Sequence, residues 1–353
     1  MNSAIYAALA ALVALPAAAQ DGPPRGTLPP NVVTQINLGG AGLLPLFYAD
    51  NQFGLTQSRN GESRARIGDA SGPDGPVGDY QHSSHAVTLP VTLRYGLPDQ
   101  KSFVTFKGVY NRKNEDPNLT SAEARLTNFL LGYQYFFSPT GMVAASIGTN
   151  ELESNAPAVK VERESVDLRL DYLQRLSDNW GFAGRVLYSM GDTTLTVKKA
   201  GLKVKQNDDY VYAQAEVAGN FTKKDADFIP AGYALRPLVG FSLQDGTLGD
   251  AKNNFGGDVY GKDENTGSVW AKGTLTKLAP PGKIAPFGTL GIEHVYKDSN
   301  KAFIDDDTYT VLGLGVAYQS KGGTNLSLTY DGRHGFNGKR EYNSVVAAAV
   351  FTF

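Results

Sequence analysis

The chain contains no cysteine in its 353 residues, and only three methionines, two tryptophans and four histidines. Disulfides, thiol nucleophiles and thiolate metal sites are therefore excluded, and the composition fits an oxidising envelope compartment. Net charge is also lacking. Lys and Arg number 33 against 35 Asp and Glu, for a net charge of −2, which gives no reason to expect nucleic acid or a strongly anionic partner. Long hydrophobic runs are missing too. Beyond residue 19 no stretch approaches the 18 consecutive apolar residues that a membrane helix needs. The mean hydropathy of −0.26 resembles that of a soluble protein. An average of this kind misleads wherever lipid-facing and lumen-facing residues alternate and cancel.

What the chain does have is period-two alternation. The last strand, Asn343 to Phe353, puts Val345, Ala347, Ala349, Phe351 and Phe353 on one face. Ser344, Val346, Ala348, Val350 and Thr352 fall on the other. Leu326, Leu328 and Tyr330 alternate with Ser327, Thr329 and Asp331, and Leu312, Leu314, Val316 and Tyr318 alternate with Gly313, Gly315 and Ala317. Lys321-Gly322-Gly323 joins these two as a tight hairpin. The strand around Leu168 is the most decisive. Val166, Leu168, Leu170 and Tyr172 alternate with Ser165, Asp167, Arg169 and Asp171, and a charged face of that kind cannot sit in a dry core. An apolar lipid face with a charged lumen satisfies both sides at once.

Residues Ala4 to Ala19 read as a secretory signal peptide with cleavage near Ala19, although no Lys or Arg precedes the apolar run. Residues 20–42 are rich in Pro and Gly and read as a periplasmic leader or a segment that tucks into the lumen. Residues 43–353 then form the barrel. Leu43 to Ser58 is its expected first strand, followed by a polar loop from Arg59 to Ser84.

Short turns are expected near 98, 139, 178, 280 and 322, with a longer one at 223 to 231. Long polar loops are expected at 59 to 84, 112 to 121, 150 to 160, 191 to 207, 246 to 265, 297 to 306 and 333 to 342. Short turns on one side and long loops on the other are the pattern of an outer-membrane barrel. Counting back from the carboxy-terminus gives thirteen strands from Ser84. Adding Leu43 to Ser58 makes fourteen, with both ends periplasmic, and twelve is the alternative. The fold class is all-β: a transmembrane, antiparallel, up-and-down β-barrel.

The stretch from Ala285 to Phe353 resembles the end of an autotransporter translocator β-domain. The resemblance is carried by Pro286-Phe287-Gly288-Thr289-Leu290-Gly291-Ile292-Glu293, Leu312-Gly313-Leu314-Gly315-Val316-Ala317-Tyr318, Leu326-Ser327-Leu328-Thr329-Tyr330-Asp331-Gly332 and the terminal Phe. It implies a bacterial outer-membrane barrel. Family members usually have twelve strands and a large passenger; here the part before the barrel spans a few tens of residues, so a solitary barrel is expected. Phe353 with Phe351 also resembles the signal read by the outer-membrane assembly machinery. Leu89 to Leu97 is similar to outer-membrane proteins associated with uptake of aromatic compounds.

No catalytic motif stands out. His82 and His85 fall in an expected loop without a nearby carboxylate or cysteine, which makes them solvated side chains rather than a metal pair. Asp305-Asp306-Asp307 offers oxygen ligands at a strand end but reads as a soluble loop end. Gly313 and Gly315 lack the strand-to-helix context of a phosphate loop and leave room inside the barrel instead. His294 beside Glu293 reads as the one strand histidine, too little for a hydrolase.

The charges expected to face the lumen are Arg94, Lys107, Asp167, Arg169, Asp171, Arg185, Glu216, Arg236 and Glu293. They line a ligand path or form a paired network that fills the interior. No cofactor and no metal are expected. The expected partners are outer-membrane lipid, lipopolysaccharide and the assembly machinery. The leading expectation is a structural or surface-display barrel without catalytic activity; a passive channel or small-solute transporter is the alternative.

Overall fold

The computed structural model describes residues 82–99, 101–116, 123–138, 141–155, 159–298, 306–320, 324–338 and 340–352. The expected signal peptide, the segment 20–42, the strand Leu43 to Ser58, most of the loop 59 to 84, the Lys321-Gly322-Gly323 turn, Asp305 and Phe353 lie outside the described residues.

Among the described residues there is no helix. Thirteen strands form the wall: β1 His82–Gly96, β2 Ser102–Asp116, β3 Glu123–Ser138, β4 Gly141–Asn155, β5 Val159–Arg175, β6 Trp180–Val197 and β7 Leu202–Gly219. They continue with β8 Tyr233–Leu248, β9 Lys262–Lys277, β10 Ile284–Asp298, β11 Thr308–Gln319, β12 Asn325–Gly335 and β13 Arg340–Thr352. Each pairs antiparallel with the next, and β13 returns to β1, so the sheet closes. The two-residue strand Phe221–Thr222 pairs with the start of β8 and brings the sheet to fourteen.

Closure is where the structure departs from a purely antiparallel meander. Thirteen is odd, so the first and last strands run in the same direction, and the β1–β13 seam is parallel. It is in register from His82 opposite Arg340 to Arg94 opposite Thr352, and skips Leu89 and Pro90. Proline has no N–H to give to a ladder, which accounts for a gap at that point. His82 therefore sits at the long-loop end and Thr352 at the short-turn end, whereas an even count would have put both ends on one side.

The alternation sorts the side chains as the sequence implies. Leu168 and Leu170 are 42% and 50% exposed, while Asp167 and Asp171 on either side of them are 0% exposed and Arg169 between them is buried. The same division holds on β1, where Val87, Leu89 and Val91 are outside and Thr88, Thr92 and Arg94 inside. On β13, Val345 is outside and Ser344, Val346, Ala348 and Val350 are inside. On β3 the outward apolar run from Phe129 through Leu131, Tyr133 and Tyr135 to Phe137 covers about 27 Å along the strand. At the ~40° tilt typical of such barrels this is about 21 Å of axial height, comparable to the apolar band of an outer-membrane barrel.

The turns have local causes. The Asp99 carboxylate accepts from the backbone N–H of Lys101 (3.1 Å), the N–H of Ser102 (2.9 Å) and the Ser102 hydroxyl (2.5 Å). The Ser102 hydroxyl bond, above the other contacts, holds the Asp99 carboxyl below its ordinary range. Gly282 has φ 88°, which suits glycine, and donates to the Gln319 carbonyl across the neighbouring hairpin at 2.7 Å.

The long loops are shorter than expected. Residues 150–155 belong to β4 and 159–160 to β5, and 191 to 207 is a hairpin whose ladder runs from Asp192 opposite Asn207 to Val197 opposite Leu202. Residues 333 to 335 and 340 to 342 likewise belong to β12 and β13, and β1 already begins at His82. These strand ends project past the apolar band, and there the faces reverse: Val159, Val161 and Val204 are buried inside while Lys160, Glu162 and Lys203 face out. Short, charge-rich and mixed with buried Arg163 and Asp208, they lack the outward apolar alternation that marks the rest of the wall in sequence. The 246 to 265 connection is a loop from Gly249 to Gly261 that holds a two-residue ladder, Ala251–Lys252 against Asp258–Val259.

Candidate functional site: the barrel interior

Every charged residue expected in the lumen is on the inner face. Arg94, Asp167, Arg169, Asp171, Arg185, Glu216 and Glu293 are buried, and Lys107 and Arg236 half-buried. They divide into separate groups, and on β5 the inward Asp167, Arg169 and Asp171 alternate in sign.

The long-loop half of the β5–β7 wall is built on Arg163. Its Nε donates to Asp208 Oδ2 at 3.0 Å and its Nη atoms to the Ser165 and Ser189 hydroxyls at 2.6 and 3.0 Å. The guanidinium stacks on Tyr210, 4.7 Å from the ring centroid. Thr193 donates to the same Asp208 oxygen at 2.5 Å. Asp167 accepts from Ser189 (2.6 Å), Ser165 (3.1 Å) and Asn128 (3.0 Å).

The short-turn half of that wall is built on Asp171. It accepts from Arg169 Nε at 2.8 Å and Arg185 Nε at 2.6 Å, and Lys107 Nζ lies 3.6 Å away. Three cations thus converge on one carboxylate.

The opposite wall carries a third group. Arg333 on β12 pairs with Glu293 on β10, and its guanidinium lies 5.0 Å from the Tyr309 ring and 5.4 Å from the Tyr342 ring. Lys113 reaches over β1 to the Tyr342 ring at 4.6 Å. On β7, Tyr212 donates to Gln214 (2.6 Å), which donates to Glu216 (2.9 Å). Gly240 sits between Glu216 and the Trp270 indole. A Cβ there would come within 2.8 and 2.7 Å of them, so this glycine serves close packing. Gly315 does the same beneath the Phe287 ring, in line with the expectation that it leaves room inside. Arg236 lies apart from the other expected charges and donates to Asn220 at 3.3 Å.

The sequence did not single out Lys113, Arg163, Asp208, Lys272 or Arg333, all buried on the inner face. Lys113, Arg163, Asp208 and Arg333 fall in or beside strand ends that had read as loops. For Arg163 a signal existed: it shares parity with Asp167 and Arg169 on β5.

The other candidates disperse. His82, His85, His294 and His334 all lie on strands, so His294 is not the single strand histidine. His294 faces out, 3.0 Å from the Thr308 hydroxyl. Asp306 is buried, and its Oδ1 accepts from the Asn337 N–H at 2.7 Å, which makes it a loop anchor. Among the described residues no cluster of three His, Asp or Glu is placed to hold a metal. Phe351 is half-buried and pairs across the seam with Leu93.

The sequence matches no family model and no curated protein. Among solved structures it is similar to the translocator domain of the autotransporter NalP from Neisseria meningitidis. The TM-score is 0.50 and the identity 13%, covering 82% of this chain and 93% of that one. The fold is that of an autotransporter-type β-barrel. The β domain of the Bordetella autotransporter Brka gives a TM-score of 0.46 at 13% identity, over 70% of this chain and 94% of that one. The CymD monoaromatic hydrocarbon channel gives 0.37 at 8%, over 72% and 84%. At these identities the likeness is one of fold.

Proposed function

We propose that this chain is an outer-membrane β-barrel protein of the autotransporter type, acting as a structural or surface-display barrel without catalytic activity. The observation that carries the membrane assignment is the closed wall with an apolar outer band and charged residues inside. In water such a band would be an aggregation surface; in lipid it is the required one.

Two features favour display over conduction. The interior charges are engaged in acid–base and hydroxyl networks rather than arranged as a ring of one sign. On the long-loop side the ladder continues beyond the apolar band into the β6–β7 hairpin. That hairpin is tied to the next loop by the N–H of Lys203 donating to Asn254 Oδ1 at 2.8 Å and by the Val204–Asn253 bridge, which makes a rigid platform above the membrane.

Planar-bilayer recording on the purified full chain tests this. Insertion without steady conductance is the expected result. Persistent channels of uniform size would replace display with the channel reading.

A further inference from the structure

The loop Gly249–Gly261 is ordered by its own asparagines. Asn253 Oδ1 accepts from the N–H of Phe255 at 2.9 Å and from that of Gly257 at 3.0 Å. Asn254 turns to the β6–β7 hairpin: its Oδ1 accepts from the Lys203 N–H at 2.8 Å, and its Nδ2 donates to the Gly201 carbonyl at 2.9 Å. Its backbone N–H donates to the Lys203 carbonyl at 2.9 Å. Gly256, with φ 85°, completes the turn. The loop thus satisfies its own polar groups and leaves Phe255 69% exposed. A ring held in solvent adds nothing to the interior. On a rigid loop it is instead a preorganised contact surface.

The surroundings of that ring are cationic. Segments 198–205 and 249–263 carry six lysines against three aspartates, in a chain whose net charge is −2. Lys203 is the residue whose backbone Asn254 holds, and Lys199 lies in the turn between Lys198 and Gly201. Among the described residues neither side chain makes an ion pair. Lys252 meets Asp258 only at 3.9 Å, with both side chains exposed. Height excludes lipid head groups as what these cations meet. Met190 is the last outward apolar residue on β6, and the strand ends seven residues later at Val197, about 23 Å along it. At a tilt of ~40° the tip stands about 18 Å above the apolar band, beyond a head-group layer of about 5–8 Å.

We infer that the β6–β7 tip and the loop Gly249–Gly261 form an interaction surface for an anionic polysaccharide. Phe255 supplies a stacking face for a sugar ring, since the centre of an aromatic face is negative and attracts the C–H groups of the sugar. Lys199 and Lys203 meet the sulfate or carboxylate groups along the polymer. The loop offers two exposed rings, Phe255 and Tyr260, not the run of stacking side chains along a groove by which single-stranded nucleic acid is held. The inference rests on the outer-membrane reading for placing this surface outside the cell. Binding by the purified chain does not depend on that reading, so the two can fail separately.

The test is fluorescence anisotropy of labelled heparin titrated with the full chain in detergent micelles at about 0.15 M salt. Heat-modifiable gel mobility confirms that each variant is folded. Saturable binding is expected. Phe255→Ser should weaken it by about fivefold or more, and Lys199→Gln with Lys203→Gln by about tenfold. Lys223→Gln with Lys224→Gln, exposed at the short-turn end, should leave it unchanged. Absence of saturable binding overturns the inference. So does binding that Phe255→Ser leaves unchanged, or that the Lys223 and Lys224 pair weakens equally, because it is then charge attraction without a site. Tighter binding of single-stranded DNA or of purified lipopolysaccharide than of heparin assigns the surface to another partner and likewise overturns it.

Discussion

Val87 of β1 and Val345 of β13 face each other in register across a parallel seam, both pointing outward. This pairing closes the barrel and fixes the relative direction of its first and last strands. The chain has no cysteine, so a Val87→Cys, Val345→Cys double variant carries the only thiols present. Register partners fall within disulfide range. Oxidation of the folded double variant is expected to give an intramolecular cross-link that shifts its mobility on denaturing gels. A pair displaced by four residues, Val87→Cys with Ala349→Cys, should cross-link much less.

Leu168 and Asp167 are adjacent in sequence and opposite in surroundings. Leu168→Arg places a charge on the outer face within the apolar band, where the cost is about 2–4 kcal/mol near the midplane of a membrane. Asp167→Asn keeps a group able to accept from Ser189 and Asn128. The arginine variant should lose most of its heat-modifiable, membrane-assembled form and the asparagine variant little of it. Equal losses would contradict the inside-out sorting.

Phe228 and Tyr260 are both highly exposed, 77% and 81%, but lie at opposite ends of the barrel. Phe228 is in the connection before β8 at the short-turn end; Tyr260 is in the connection before β9 at the long-loop end. Chymotrypsin added to intact cells should cut at Tyr260 and at the neighbouring exposed Phe255, and spare Phe228. Cleavage at Phe228 alone would invert the topology.

Asp99 ties its turn to Ser102, and its carboxyl titrates below the ordinary range. A depressed folded-state pKa means that the carboxylate stabilises the turn above the unfolded carboxyl value. That contribution is lost as pH falls through the lower, folded-state pKa. Asp99→Asn should therefore lower thermal stability slightly at neutral pH, and the difference from the unaltered chain should vanish on acidification. A difference that grows toward acid would have the wrong sign.

The sequence carried the wall almost completely. Among the described residues, the apolar faces, the inward face of β5 and the turns at 177–179 and 279–282 follow from alternation and from turn residues such as Pro281-Gly282. It did not carry the strand ends beyond the apolar band. Glu162, Arg163 and Glu164 are paired β-structure with polar residues on both faces, and hydrophobic period-two patterning cannot mark them. The interior networks were legible as a list of inward charges but not as groups. Grouping depends on which strands become neighbours, and on reach across them, as when Arg163 on β5 crosses β6 to meet Asp208 on β7. Seam polarity turned on a single strand: the thirteen strands counted from Ser84 close in parallel, whereas the even count expected with Leu43 to Ser58 would close antiparallel.

The central claim is that one face of each strand meets lipid while the other faces a charged interior. Spin-label accessibility along β5 tests it most directly, with single cysteines introduced in turn from Val166 to Tyr172 in the full chain reconstituted in bilayers. The account predicts high collision with lipid-dissolved oxygen at 166, 168, 170 and 172 and low collision at 167, 169 and 171. Uniform accessibility, or the opposite alternation, would contradict it.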